Sequence, residues 1–284
     1  MGPSEVLTLV FRVSRPRFWF YLAGPYAVGC IWATKNYVSL LEPGFFLYMA
    51  YFLFPANILL YGINDHFDFD TDQFNEKKSS KEHLLKEEER GVLKLIILSI
   101  ILSSMALMVT MSLLEAIIFG AFLFLCIFYS TPPLRFKARP LLDSSSNILY
   151  VLPSVFAFYR VSGTFPIPQI FLLAFLHTFS MHLFSAIPDI ESDLRAGLKT
   201  TATQLGARGS EFLCLSAWGI FSLLTIYLSN LNPLSFLTLI YPLILVTLLM
   251  TKKRAQDVYW FFPHINIGLG ATLFLIAAAR TPWS

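Results

Sequence analysis

Long runs without any Asp, Glu, Lys or Arg constrain this 284-residue chain more than any other feature. Between Arg17 and Lys35 lie 17 uncharged residues, between Glu42 and Asp65 there are 22, and Lys94 to Glu115 encloses 20. Glu115 to Arg135 encloses 19, Asp143 to Arg160 encloses 16, and Arg160 to Asp189 encloses 28. Glu211 to Lys252 encloses 40 and Asp257 to Arg280 encloses 22. A helix needs about 20 apolar residues to cross about 30 Å of hydrocarbon. The run of 40 holds two crossings, with Ser229-Asn230-Leu231-Asn232-Pro233 as the turn between them. Runs such as Leu95-Ile96-Ile97-Leu98 do not alternate in polarity, which excludes a barrel. The spacing therefore predicts nine transmembrane helices: an all-α, polytopic integral membrane protein. Only 14% of the residues are charged and the mean hydropathy is +0.63, against about 25% charged in soluble domains. A soluble enzyme is excluded on that ground.

The positive charges give the orientation. With the N-terminus inside, 17 of the 21 Lys and Arg residues fall on inner segments, while Lys35, Arg160 and Arg280 are outside. The expected placement is a cell membrane with the N-terminus on the cytoplasmic side and the C-terminus outside. Arg12, Arg15 and Arg17 interrupt the N-terminal apolar run too early for a cleaved signal. A net charge of only +3 gives no reason to expect a nucleic-acid partner. Cys30, Cys126 and Cys214 fall within spans, and their spacing makes neither a disulfide framework nor a metal knuckle.

The acids are concentrated on the same inner side. The loop after the second span carries nine of the 18, beginning Asn64-Asp65-His66-Phe67-Asp68-Phe69-Asp70-Thr71-Asp72. If the second span continues as helix, Asp65, Asp68 and Asp72 share one stripe at i, i+3, i+7, and Asn64, Asp68 and Asp72 share it at i, i+4, i+8. After the sixth span Asp189 and Asp193 stand at i, i+4. Crowded carboxylates repel and raise one another's pKa, and a hard divalent cation relieves that repulsion. Mg²⁺ takes few carboxylates and prefers phosphate oxygens for the rest of its shell. Charge at the end of a span is expensive and usually functional. An EF-hand is excluded: counted from Asp68, position 6 is Gln73 and position 12 is Ser79.

Cations that could balance a diphosphate lie on the same face. Tyr129-Ser130-Thr131-Pro132-Pro133-Leu134-Arg135-Phe136-Lys137 ends the fourth span, where the proline pair stops the helix. Arg12 and Arg15 enter from the first span, and Lys77, Lys78 and Lys81 follow the first acidic cluster. Carboxylates, Mg²⁺ and several cations together form the balance that a leaving diphosphate needs.

At these residues the chain resembles the UbiA superfamily of intramembrane prenyltransferases. Asn64-Asp65-x-x-Asp68-x-x-x-Asp72 is similar to that family's first signature and Asp189-x-x-x-Asp193 to its second. The Tyr129–Lys137 segment is similar to the one that follows the family's fourth helix. The resemblance implies a single membrane-embedded prenyltransferase domain over residues 1–284, built as a nine-helix bundle around a central cavity. It implies Mg²⁺ as cofactor, held by Asn64, Asp68 and Asp72 on one side and by Asp189 and Asp193 on the other. Asp65 joins these carboxylates in the catalytic set. It places Arg12, Lys81, Arg135, Lys137 and Lys199 on the diphosphate. One departure is visible: where the family often has Asn-Pro-Arg-Thr, this chain has Asn75-Glu76-Lys77-Lys78.

The first helix, Ser14-Arg15-Pro16-Arg17-Phe18-Trp19-Phe20-Tyr21-Leu22-Ala23-Gly24-Pro25, resembles that of the lycopene elongases, which add C5 units to an acyclic carotenoid. That resemblance implies dimethylallyl transfer to the ends of lycopene. The alternative within the family is an aromatic-acceptor enzyme of quinone, chlorophyll or haem biosynthesis, or an archaeal-lipid type. The expected partners are an isoprenyl diphosphate donor, a hydrophobic isoprenoid or aromatic acceptor, and membrane lipids. Phe18, Trp19, Tyr21, Phe54, Phe128 and Tyr129 offer aromatic faces to an allylic cation, and His177 and His182 are candidates for the final base. A cation-coupled transporter would place its acids at the bilayer midplane, whereas these lie at one face. A CDP-alcohol phosphotransferase would need Asp-Gly-x-x-Ala-Arg, and Phe184-Ser185-Ala186-Ile187-Pro188 precedes Asp189 instead.

Overall fold

The computed structural model describes residues 1–69, 83–251 and 253–283, and among them there are helices and no strand. Seven helical runs are long and apolar enough to cross a membrane. The nine-helix count is not reached by that measure. The first uncharged run forms only the 14-residue α2, Phe20–Ala33. The fifth is divided into α7 (Leu142–Ser145), a 3-10 turn over Ser146–Tyr150 and α8 (Leu152–Ser162).

Two compact units make up the chain. One comprises Met1–Arg135, Leu152–Phe165 and Gly270–Ser284. It begins with α1, Pro3–Val13, where proline at the first turn costs no hydrogen bond and Glu5 accepts the Gly2 N–H at 2.6 Å. The 22-residue run expected as one span is two helices, α3 (Pro43–Leu53) and α4 (Pro55–Phe67). Pro55 cannot donate to the preceding turn and its ring crowds it, so Phe54 leaves helical geometry at φ −126°, ψ −66°. Asn57 Nδ2 donates to the Phe52 and Leu53 carbonyls at 2.9 and 3.0 Å, as backbone groups freed inside a membrane require. Next come α5, Glu87–Val109, and α6, Leu113–Ser130, the latter capped by the Ser112 hydroxyl. The unit's core is aromatic: Tyr48, Tyr51, Phe52, Phe119, Phe122 and Phe156 pack as edge-on and tilted pairs. On α5, Leu95, Leu102 and Met105 remain exposed, as a lipid-facing stripe should.

At the start of α6, Glu115 is held by Arg160 of α8 at 2.8 Å, and the guanidinium lies 4.8 Å from the Tyr48 ring centroid. Glu115 is 8% exposed. Removing its partner leaves a largely buried carboxylate uncompensated. Arg160→Ala is expected to lower unfolding stability by about 2 kcal/mol, read from denaturation in detergent micelles. A Glu115→Gln/Arg160→Ala double variant should recover part of that loss.

The other unit comprises Phe136–Val151 and Pro166–Leu269. It contains α9 (Pro168–Ala186), a 3-10 turn at Ile187–Asp189 and α10 (Ile190–Arg195). α11 runs over Thr201–Leu228 and bends at Gly206, whose φ of 68° favours a residue without Cβ. The expected turn after it exists, with Asn230 and Leu231 at φ 53° and 59°. Beyond a 3-10 segment, Pro233–Leu239, come α12 (Ile240–Met250), α13 (Ala255–Tyr259) and α14 (Phe262–Arg280), whose last residues belong to the first unit. Trp218 stacks on Tyr241 and Phe262 at 5.0 and 5.5 Å and donates to His177 Nδ1 at 3.3 Å.

Candidate active site

In the first unit, α4 delivers the first acidic motif. The helix ends at Phe67 and Asp68 is its cap, with φ −101° and ψ 5°. The stripe read from spacing therefore holds through Asp68. Asp72 and Lys81, two of the expected site residues, lie outside the described residues. Asn64 Nδ2 donates to Asp68 Oδ2 at 2.7 Å and lies 3.2 Å from Ser130 Oγ at the end of α6. Asp65 and Asp68 are 2% and 6% exposed, and each faces an arginine. Arg15 Nη2 is 2.7 Å from Asp65 Oδ1, and Arg135 Nη2 is 3.5 Å from Asp68 Oδ1.

Both arginines have backbone that non-glycine residues rarely adopt: φ is 49° at Arg15 and 40° at Arg135. Strain of this kind persists where the surroundings over-determine it. At Arg15 the chain turns from α1 into the Pro16–Phe18 3-10 turn, and the Ser14 hydroxyl, itself bonded to the Phe11 carbonyl, accepts from Trp19 Nε1. The Arg15 guanidinium also lies 4.6 Å from the Tyr61 ring centroid. At Arg135 the backbone N–H returns to the Thr131 carbonyl. Arg135 Nε is buried and without a hydrogen-bond partner among the described residues.

The family resemblance places Arg12 on the diphosphate. In the folded chain Arg12 is exposed on α1, and Arg15 is the side chain that reaches the acids. The two stand three apart, as on one helix face, but the left-handed turn at Arg15 redirects the second, and no local signal marks arginine for that conformation. Phe18 lies 5.4 and 5.8 Å from Tyr21 and Tyr61, and Trp19 lies 5.5 Å from Phe54. Phe18, one of the expected aromatic faces, therefore neighbours the Tyr61 ring over which the Arg15 guanidinium lies.

The second motif belongs to the other unit. Asp189 ends the 3-10 turn and opens α10, and its carbonyl accepts from Ser192 Oγ at 2.9 Å. Asp193, one turn on, is half-buried, and its carbonyl accepts the Leu198 N–H. Glu191 points to solvent, 89% exposed, with Arg195 at 4.0 Å. Lys137 sits half-buried in the Phe136–Ala138 turn, and Lys199 is exposed just before α11. Of the two candidate bases, His177 is committed to the Trp218 indole, while His182 Nδ1 lies 3.3 Å from Ser144 Oγ.

Among the described residues no three His, Cys, Asp or Glu side chains converge as a metal cage. The donors still fit one class of ion. Each motif taken by itself, Asn64 with Asp68 and Asp189 with Asp193, offers oxygen ligands, the chemistry of Mg²⁺ rather than of zinc or copper. With few protein ligands, Mg²⁺ keeps positions for phosphate.

The chain is 39% identical to a lycopene elongase/hydratase of Haloferax volcanii, over 98% of this chain and 91% of that protein. It is 37% identical to one of Haloarcula japonica, over 97% and 93%. Its fold is that of a UbiA homologue from Archaeoglobus fulgidus solved with DMAPP and Mg²⁺, with a TM-score of 0.70 at 20% identity over 95% of this chain and 99% of that one. The UbiA prenyltransferase family model matches residues 22–275. Matched over nearly all of its length and carrying that fold, this integral membrane prenyltransferase belongs to the UbiA prenyltransferase family.

Proposed function

We propose that this enzyme transfers the dimethylallyl group of dimethylallyl diphosphate to the ends of lycopene within the membrane. The observation that carries the transfer is Arg135: one nitrogen rests on Asp68, and a second is buried with no partner among the described residues, as an anion-binding group would be before its anion arrives. Supporting lycopene as acceptor are the two relatives, named for that reaction, to which the chain is 37 and 39% identical.

Asn64, Asp68, Asp72, Asp189 and Asp193 hold Mg²⁺. When bound, the metal supplies Lewis-acid neutralisation of the diphosphate oxygens. Arg135, Lys81, Lys137, Lys199 and Arg12 bind the same group, so charge developing as the allylic C–O bond breaks meets fixed cations. Arg15 holds Asp65, the acid of the first motif that joins the catalytic set. Phe18, Tyr21 and Tyr61 present aromatic faces that shield the allylic cation from water. The acceptor alkene then forms the new C–C bond, and loss of a proton completes the product. The chain crosses the membrane nine times as one domain over residues 1–284. Its N-terminus and active site face the cytoplasm and its C-terminus lies outside, following the Lys and Arg bias.

Purified protein with Mg²⁺, dimethylallyl diphosphate and lycopene should yield C45 and C50 carotenoids, identified by mass. EDTA should stop diphosphate release and added Mg²⁺ restore it. The relatives' names add hydration, which the same spectra would read as one water added. 4-Hydroxybenzoate should remain unprenylated. Prenylation of that acid with lycopene untouched would sink the acceptor assignment and leave the family assignment standing.

A further inference from the structure

Asp143 is the most deeply buried acid in the unit that holds Lys137 and Lys199, with 0% exposure. A buried carboxylate is costly unless hydrogen-bonded on its lone pairs, and this one is. Its oxygens accept the Thr201 N–H at 2.7 Å, the Thr201 hydroxyl at 2.5 Å and the Ser144 N–H at 2.8 Å. The Thr201 hydroxyl accepts in turn from the Leu141 N–H at 2.7 Å. Leu141 has φ 68°, a conformation a leucine keeps only when held. On the other side of the knot, Asn147 Nδ2 donates to the Asp143 carbonyl at 2.7 Å.

Thr201 is the first residue of α11, so the carboxylate also sits at the positive end of a helix. One threonine thus ties the 136–147 segment to the start of α11. Each side of the tie carries a cation close by: Lys137 lies six residues before Asp143, and Lys199 two before Thr201. Lys137 sits half-buried in a three-residue turn, and Lys199 is exposed ahead of a helix.

We infer that Asp143 is a positioning residue: through Thr201 and Leu141 it fixes the segment bearing Lys137 against the segment bearing Lys199, so that the two ammonium groups are presented together to the donor's diphosphate. The inference rests on the diphosphate role proposed for both lysines.

Two measurements test it on the full-length protein in detergent: the affinity for inorganic diphosphate with Mg²⁺, by calorimetry, and the separate KM values for dimethylallyl diphosphate and lycopene. Thr201→Val keeps the shape and the N–H but removes the hydroxyl, and Asp143→Asn removes half of the acceptor capacity. Each is expected to weaken diphosphate affinity and raise the donor KM about tenfold with the lycopene KM unchanged, the scale of a misplaced binding group. Thr201→Ser, which retains the hydroxyl, should restore both values. In a Lys137→Ala/Lys199→Ala background, Thr201→Val should add no further loss, because residues acting through one another are not additive.

Wild-type diphosphate affinity in Thr201→Val overturns the inference, as does an equal loss in the double-alanine background or a lowered melting temperature with affinity intact. If Asp143→Asn fails to fold, the Val and Ser variants at Thr201 decide alone. A wild-type protein that binds diphosphate but leaves lycopene unchanged defeats the acceptor proposal, and the clamp is still judged by affinity. One that binds no diphosphate defeats both.

Discussion

Asp68→Ala should lower kcat/KM for dimethylallyl diphosphate by about a thousandfold while the protein still inserts and elutes as a single species. Asp68 is where two contacts meet the proposed metal-ligating carboxylate: the Asn64 amide at 2.7 Å and the Arg135 guanidinium at 3.5 Å. On the proposed roles, alanine would remove an oxygen ligand of the metal and also release Arg135 from its pairing with Asp68. Asp68→Asn keeps one oxygen and should fall between alanine and the native residue. The control is Glu191→Ala in the second acidic motif. That side chain is 89% exposed, and its nearest cation is 4.0 Å away, so its removal should change turnover by no more than about twofold. Equal damage from Glu191→Ala would refute the assignment of roles by position within the motifs.

The largest loss of stability is expected at Gly29. α2 and α8 approach so closely there that a Cβ on residue 29 would overlap the Ser154 carbonyl oxygen and lie 2.9 Å from the Ala157 Cβ. The first obstruction is backbone, which cannot rotate aside, so the helices must separate and forfeit packing along their length. Packing rather than a hydrophobic force holds helices together in a membrane, and small residues make such approaches possible. Gly29→Ala should cost about 3 kcal/mol, measured as a fall in melting temperature in detergent micelles. Gly24 of the same helix has open space within 4 Å of where its Cβ would stand. Gly24→Ala should therefore be neutral or gain about 0.5 kcal/mol, since alanine is the better helix former. Equal melting temperatures for the two variants would contradict the close-approach argument.

The helices are legible in the sequence because span length is a property of composition: an uncharged run either reaches across the hydrocarbon or does not. Their interruptions are less so. Pro55 and Pro188 stand within uncharged runs as visible breakers, yet charge counting merges α3 with α4. The division at Val151 has its own breaker in Pro153, in the first turn of α8, and charge counting passes over it too. The pairing of Asn64 with Asp68 follows from helical spacing. The Arg15–Asp65 pair joins residues 50 apart in the chain, and nothing local distinguishes Arg15 from Arg12 before the left-handed turn is known. Asp143 is still harder to see. It bounds an uncharged run, and its partner Thr201 lies 58 residues away, so only the folded chain reveals that the two segments are tied. His177 shows the opposite failure: histidine chemistry suggests a base, and the Trp218 indole bonded to it assigns the ring to the aromatic core.

The left-handed backbone at Arg15 bears on how such a site could arise by substitution. Local geometry alone favours glycine at that position, and against that preference stands the ion pair that arginine makes with the buried Asp65. The preferred residue at 15 therefore depends on what occupies 65. With an acid at 65, losing the arginine removes that acid's ion pair; with a neutral residue at 65, the arginine keeps its strained backbone without the ion pair. Each single change away from the pair passes through a less stable protein, so a lineage that carries both residues is trapped with them, and the two positions are expected to be exchanged together or not at all.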